Sequence, residues 1–284
     1  MDLDAGRGRS WSSLFAAVIA ALFVGIAAVL VVSAQISGQE RPLEDRVNAY
    51  APAAAADPVA AAIPATVTPD ATAITGTEST ETQPADPAPA DVPATVRLVT
   101  ADATWSARTA AATGIPERAL RAYASAALTL TAEQPSCGLG WNTLAGIGAI
   151  ESAHGTHSGG HLDDAGYPQP AIRGIPLDGS ASAAIADTDG GRWDGDATWD
   201  RAVGPLQFIP STWQRWGADG NGDGVADPNQ IDDAALAAGR YLCAAGEMTS
   251  ASGWRRAIFS YNHLDSYVDD VAAMANTYAA RAGR

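Results

Sequence analysis

The sequence predicts a mainly α-helical domain over residues 97–284, preceded by an apolar segment and a linker that folds into nothing of its own. Three observations carry this. Apolar residues recur at helical spacing in several stretches beyond residue 115, strand signals there are thin, and the composition before residue 97 is unlike that of the rest. The last region is long enough for one domain with a proper core, and it holds no internal repeat of the kind that builds solenoids.

Taken in order, residues 1–13 form a short N-terminus in which Arg7 and Arg9 are offset by Asp2 and Asp4. Residues 14–34, LFAAVIAALFVGIAAVLVVSA, are 21 uncharged and mostly apolar residues. At about 1.5 Å per residue they suffice to cross a hydrocarbon core of about 30 Å. A single-pass anchor with the N-terminus in the cytoplasm is expected. The rival is a cleaved signal peptide, since Val32-Ser33-Ala34 ends on a small residue that a signal peptidase accepts. Either places the rest of the chain outside the membrane, anchored or secreted.

Residues 35–96 are rich in Ala, Pro, Thr and acidic residues, with nine prolines from Pro42 to Pro93 and Tyr50 as the sole aromatic residue. Such a composition buries too little apolar surface to order itself, and proline keeps it extended, so a disordered tether or spacer is expected.

In the domain, Pro116 suits the first turn of a helix carrying Leu120, Tyr123, Ala124, Ala127 and Leu128 on one face. Asn142 is a candidate N-cap for the helix that ends near Glu151. Further helices are predicted near 211–216, 232–245, 253–261 and 265–281. The net charge is −15 over 284 residues, and all 17 basic residues are Arg. A nucleic-acid partner is thereby disfavoured, because such partners select a basic patch. Cys137 and Cys243 are the only cysteines, and outside the cytoplasm a pair is more often a disulfide than two free buried thiols. The bridge would close a loop of about 105 residues, worth up to about 4.7 kcal/mol on the chain-entropy model.

The domain holds four glutamates, Glu117, Glu133, Glu151 and Glu247, and Glu151 alone has an apolar flank. Leu144, Ile147, Gly148 and Glu151 share one helical face, which turns the carboxylate inward just before a glycine-containing bend. Desolvation there favours the protonated form, as an acid working near neutral pH requires. The bland alternative is a helix-end Glu that reaches water. Two more segments combine amide or hydroxyl groups with aromatic rings, the mixture that sugars require: Gly204-Pro-Leu-Gln207-Phe208-Ile-Pro-Ser-Thr-Trp213 and Phe259-Ser-Tyr261-Asn262-His263.

Together, E-S-x-x-G, G-P-x-Q-F-x-P-S-x-W and S-Y-N in this order resemble the soluble lytic transglycosylases, most closely the lytic transglycosylase B family with its goose-lysozyme-like helical domain. The resemblance covers about residues 115–275. It implies a lysozyme-like fold, with Glu151 as the single catalytic acid and Ser152, Gln207, Phe208, Tyr261 and Asn262 shaping a glycan groove. Tyr267 matches a further aromatic position, whereas His154 stands where many members carry an aromatic ring. The implied substrate is peptidoglycan, cut at the β-1,4 bond between N-acetylmuramic acid and N-acetylglucosamine. Glu151 would protonate the leaving oxygen and then take the proton of the muramoyl C6 hydroxyl, which closes onto C1 as a 1,6-anhydro end. One carboxylate then suffices where most glycosidases need two. A second carboxylate from Asp163, Asp164 or Asp200 would instead make a hydrolytic muramidase. A noncatalytic peptidoglycan-binding module is the alternative of another class.

Asp219, Asn221, Asp223, the Val225 carbonyl and Asp227 stand at positions 1, 3, 5, 7 and 9 of an EF-hand-like loop, an oxygen set suited to structural Ca²⁺. Position 12 is Gln230, so Asp232 or Asp233 would have to supply the missing carboxylate. The resemblance adds that some family members carry such a loop. A second acidic stretch, Asp187, Asp189, Asp194, Asp196 and Asp200 with Trp193 and Trp199, fits no standard calcium loop and reads as a solvated groove edge. His154, His157 and His161 lack the helical spacing of zinc peptidases, and the glycines among them argue against the helix that would align them.

Overall fold

A computed structural model describes residues 97–180 and 182–283. The expected membrane segment 14–34 and the linker 35–96 lie outside the described residues. Among the described residues, no helix is long and apolar enough to cross a membrane.

Seven α-helices form among these residues: α1 Ala103–Thr113, α2 Glu117–Glu133, α3 Trp141–Ser152, α4 Pro210–Trp216, α5 Ile231–Ala244, α6 Ala251–Tyr261 and α7 Asp265–Ala282. Local chemistry sets their ends. Asp102 caps α1 by accepting from the Trp105 N–H at 2.7 Å, and Gly114, at φ 80°, stops it in the left-handed conformation that glycine adopts most easily. Ser250 caps α6 through the Gly253 N–H. Helix α1 carries no strong apolar stripe and was not predicted; it is fastened by the buried Trp105, whose ring meets Trp141 edge-on at 5.6 Å.

Helix α3 is the core element, with Trp141, Leu144 and Ile147 fully buried. Burial of each such side chain contributes about 1.5–3 kcal/mol. It packs most extensively on α7, and α2 on α5. The first contact depends on Gly146, where a Cβ would come within 2.8 Å of the Val271 carbonyl oxygen. Asn142 is not the N-cap of α3: Gly140 takes that place, and the Asn142 amide, one residue into the helix, donates to the Ala275 carbonyl of α7 at 3.3 Å. Interhelical packing has claimed the capping side chain.

Between α3 and α4 the chain leaves helical structure. A short 3₁₀ turn, His157–Gly159, leads into antiparallel β1 (His161–Leu162) and β2 (Pro168–Gln169), then β3 (Arg173–Pro176), which pairs with β4 (Arg201–Val203). Cys137, just before α3, is bonded to Cys243 in the last turn of α5. Glu133 is half-buried, and its carboxylate takes two hydrogen bonds from Arg240, at 2.9 and 3.1 Å.

Candidate active site

Glu151 is the penultimate residue of α3 and is half-buried. Three left-handed residues follow the helix, Ala153 at φ 50°, His154 at 63° and Gly155 at 80°, and they reverse the chain sharply beside the carboxylate. Two of them carry side chains, a conformation that persists only when the surroundings over-determine it. Ser152 supplies part of that constraint. Its hydroxyl donates to the Pro205 carbonyl at 2.6 Å and accepts from the Gly155 N–H at 2.7 Å, pinning the end of α3 to the turn 204–207.

Burial pushes the Glu151 carboxyl from its ordinary 4.5 up to about 7, against the opposing effect of the Tyr267 hydroxyl, which donates to Oε1 at 2.6 Å. The Tyr267 ring stacks on Tyr261 with centroids 6.5 Å apart and planes within 5°. The Tyr261 hydroxyl in turn donates to the Leu206 carbonyl at 2.7 Å. Burial and the nearby Glu151 raise both phenols well above 10, so they act as neutral donors.

Phe208 is 3 % exposed and meets Trp213 and Tyr261 edge-on, so it supports the wall from behind. Gln207, held at φ 48°, donates from Nε2 to the Gly204 carbonyl at 2.9 Å. Asn262 follows α6 directly in extended conformation, with its carbonyl accepting from Leu264. An open cleft runs between α4 and α6, lined by Gln207, Phe208, Thr212, Tyr241, Tyr261 and His263. The structure thus links Glu151, Tyr267, Tyr261 and the Leu206 carbonyl through hydrogen bonds and a ring contact, while Glu151, Ser152, Asn262 and Tyr267 are not among the residues lining the cleft.

Of the carboxylates considered as a second catalytic group, Asp200 is fully buried and accepts from the Thr188 N–H and hydroxyl at 2.9 and 2.7 Å. Asp163 accepts from the Tyr167 N–H and the Gln169 amide, and these bonds hold it below the ordinary carboxylate range. Asp164 is exposed. The acidic stretch is knitted by its own aspartates: Asp187 accepts from the N–H groups of Asp189, Gly190 and Gly191, and Asp196 pairs with Arg201. Asp187, Asp189 and Asp200 bring carboxylate oxygens within 4.8 Å of one another while also accepting from backbone and hydroxyl donors. Trp193 lies half-buried under the Arg192 guanidinium, 4.5 Å from the ring centroid.

The loop 219–227 has the oxygens the sequence suggested, each accepting backbone N–H groups: Asp219 from Gly222 and Gly224, Asn221 from Asp223, Asp223 from Val225, and Asp227 from Asn229. Of the two carboxylates considered at the start of α5, Asp233 is the one turned to the loop. It is 1 % exposed, accepts from Gly220, Asn221 and Asp227, and is pushed by burial up to about 6. Gln230 has another duty, capping α5 through the Asp232 and Asp233 N–H groups. Asp232 is paired with Arg118. A buried carboxylate facing alternating oxygens fits a hard cation in its donor chemistry.

The histidines do not assemble. His154 is 6 % exposed with both ring nitrogens engaged by Tyr123 and Tyr278, which leaves its ring unavailable to stack on a sugar or bind zinc. The sequence marked His154 as a departure from the family and as part of a disfavoured zinc set; the glycine at position 148, which makes room for Tyr123, was the signal that could have revealed its partner.

A family model described as Transglycosylase SLT domain matches residues 185–258. No curated protein and no solved structure matches the chain. The matched stretch begins after Glu151 and ends before Tyr261; it takes in the acidic loop, the 204–213 segment and the 219–227 loop. It supports a peptidoglycan-directed lytic transglycosylase in general terms.

Proposed function

We propose that the chain is a peptidoglycan lytic transglycosylase with Glu151 as its single acid and base, cleaving the bond between N-acetylmuramic acid and N-acetylglucosamine with 1,6-anhydro ends. The observation that carries this reading is the placement of the Glu151 carboxyl, half-buried at the end of α3 and accepting the Tyr267 hydroxyl at 2.6 Å, where burial pushes it up to about 7. A group titrating there donates a proton to the leaving oxygen and takes one back from the C6 hydroxyl in the same site. Engagement of Asp163 and Asp200 elsewhere supports a one-carboxylate route over hydrolysis. Tyr261, Gln207 and Asn262 would supply the stacking face and directed hydrogen bonds for the glycan, with Ser152 and Phe208 holding their frame. The kinship to the lytic transglycosylase B family belongs to the same proposal, as does an extracytoplasmic position secured by residues 14–34. Ca²⁺ held by Asp219, Asn221, Asp223, the Val225 carbonyl, Asp227 and Asp233 would brace the start of α5.

The test is incubation of the full chain with purified peptidoglycan and mass analysis of the released muropeptides. Products about 18 Da lighter than hydrolysed ends, absent with Glu151→Gln, are expected, since each anhydro end lacks one water. Retained binding without any product would leave a noncatalytic module.

A further inference from the structure

We infer that His154, held between Tyr123 and Tyr278, is a positioning residue for Glu151: it locks the left-handed turn that ends α3 and so keeps the carboxylate in its half-buried setting. The inference rests on the reading of Glu151 as the acid and adds three buried residues to its support.

Gly148 is the centre of the arrangement. It lies three residues before Glu151, on the same face of α3. Its carbonyl accepts the His154 N–H at 2.8 Å, and a Cβ at this position would overlap the Tyr123 hydroxyl. Tyr123, on α2, is therefore seated directly against the helical turn below the acid. From there its hydroxyl lies 3.3 Å from His154 Nδ1, while Nε2 is 2.8 Å from the Tyr278 hydroxyl on α7. The three rings are 0 %, 6 % and 5 % exposed in that order. Helices α2, α3 and α7 thus meet at one imidazole, and that imidazole belongs to the middle residue of the left-handed run.

The proton positions follow from burial. A fully buried phenol must donate, and among the described residues Nδ1 is the acceptor available to Tyr123, so Nδ1 is bare and Nε2 carries the hydrogen that meets Tyr278. A protonated imidazole would set an N–H against the Tyr123 O–H. Burial keeps the ring neutral by moving its titration down to about 4. Tyr123 and Tyr278 face His154, Arg281 acts on Tyr278, and Tyr267 and Tyr261 face Glu151. A Phe here would fill the volume as well, so the two hydrogen bonds are what a histidine adds.

Loss of those bonds should loosen the turn, admit water to Glu151 and bring its titration down toward 4.5. The experiment is a pH titration of the Glu151 side-chain carboxyl by NMR in the full chain labelled at glutamate, the signal assigned by its absence in Glu151→Gln. His154→Phe and Tyr123→Phe are each expected to lower the midpoint by about one pH unit from its value near 7, with folding verified by circular dichroism. Tyr278→Phe provides a third case should His154→Phe fail to fold. A midpoint unmoved in the folded variants overturns the inference. The titration needs no turnover, so its outcome stands apart from whether the wild type releases anhydro products.

Discussion

Replacing Glu151 by Gln should stabilise the protein in alkali and leave it unchanged in acid. The folded carboxyl titrates at about 7 against an ordinary 4.5. Below pH 4.5 both states are protonated, and a neutral acid and an amide are near equivalents, each able to accept the Tyr267 hydrogen bond. As pH rises from 4.5 to 7 the unfolded chain ionises while the folded state holds its proton, so wild-type stability falls; above 7 the loss is complete. At about 1.4 kcal/mol per pH unit the loss amounts to about 3 kcal/mol, somewhat less where water reaches the outer edge of the carboxylate. That corresponds to about 6–12 °C in Tm for a domain of this size. Asp233, also raised by burial, is present in both proteins and cancels from the difference. Urea unfolding of wild type and Glu151→Gln at pH 4, 6 and 8, followed by tryptophan fluorescence, measures the effect. A difference that is the same at all three pH values would refute the assignment of Glu151 as a desolvated acid.

Tyr267→Phe removes the donor to Oε1, whose bond favours the ionised form, and should raise the Glu151 titration by about one pH unit, opposite in sign to the effect of His154→Phe. The alkaline limb of the cleavage profile reports it. Converting Cys137 and Cys243 to Ala should cost about 2–5 kcal/mol in urea unfolding, since their bond spans 106 residues between the approach to α3 and α5. Millimolar Ca²⁺ should raise Tm relative to excess chelator, with the rise abolished in Asp223→Asn; equal melting in both conditions would remove the metal from the account.

Much of the helical framework was legible because amphipathic spacing and turn residues mark it locally. The predicted helices near 211–216, 232–245, 253–261 and 265–281 correspond to α4 to α7 within two residues at each end. Helix α1 escaped because three of its four buried residues, Ser106, Thr109 and Thr113, are small and polar and leave little apolar periodic signal. Glu151 stood out by its apolar face, yet its partner Tyr267 lies 116 residues away, and only the α3–α7 contact brings them together. Asp232 and Asp233 are adjacent, so spacing alone leaves both as candidates; in the structure Asp232 pairs with Arg118 while Asp233 accepts from the loop. The β-pairings between α3 and α4 are two to four residues long, too short for any alternation to register.

The central claim is that one carboxylate both donates and recovers a proton without water entering the product. Digesting peptidoglycan with the full chain in heavy-oxygen water tests it most directly. Muramoyl ends free of heavy oxygen, formed by the wild type and missing with Glu151→Gln, are the predicted result. Heavy oxygen at C1 of those ends would contradict it and require a second carboxylate to activate water.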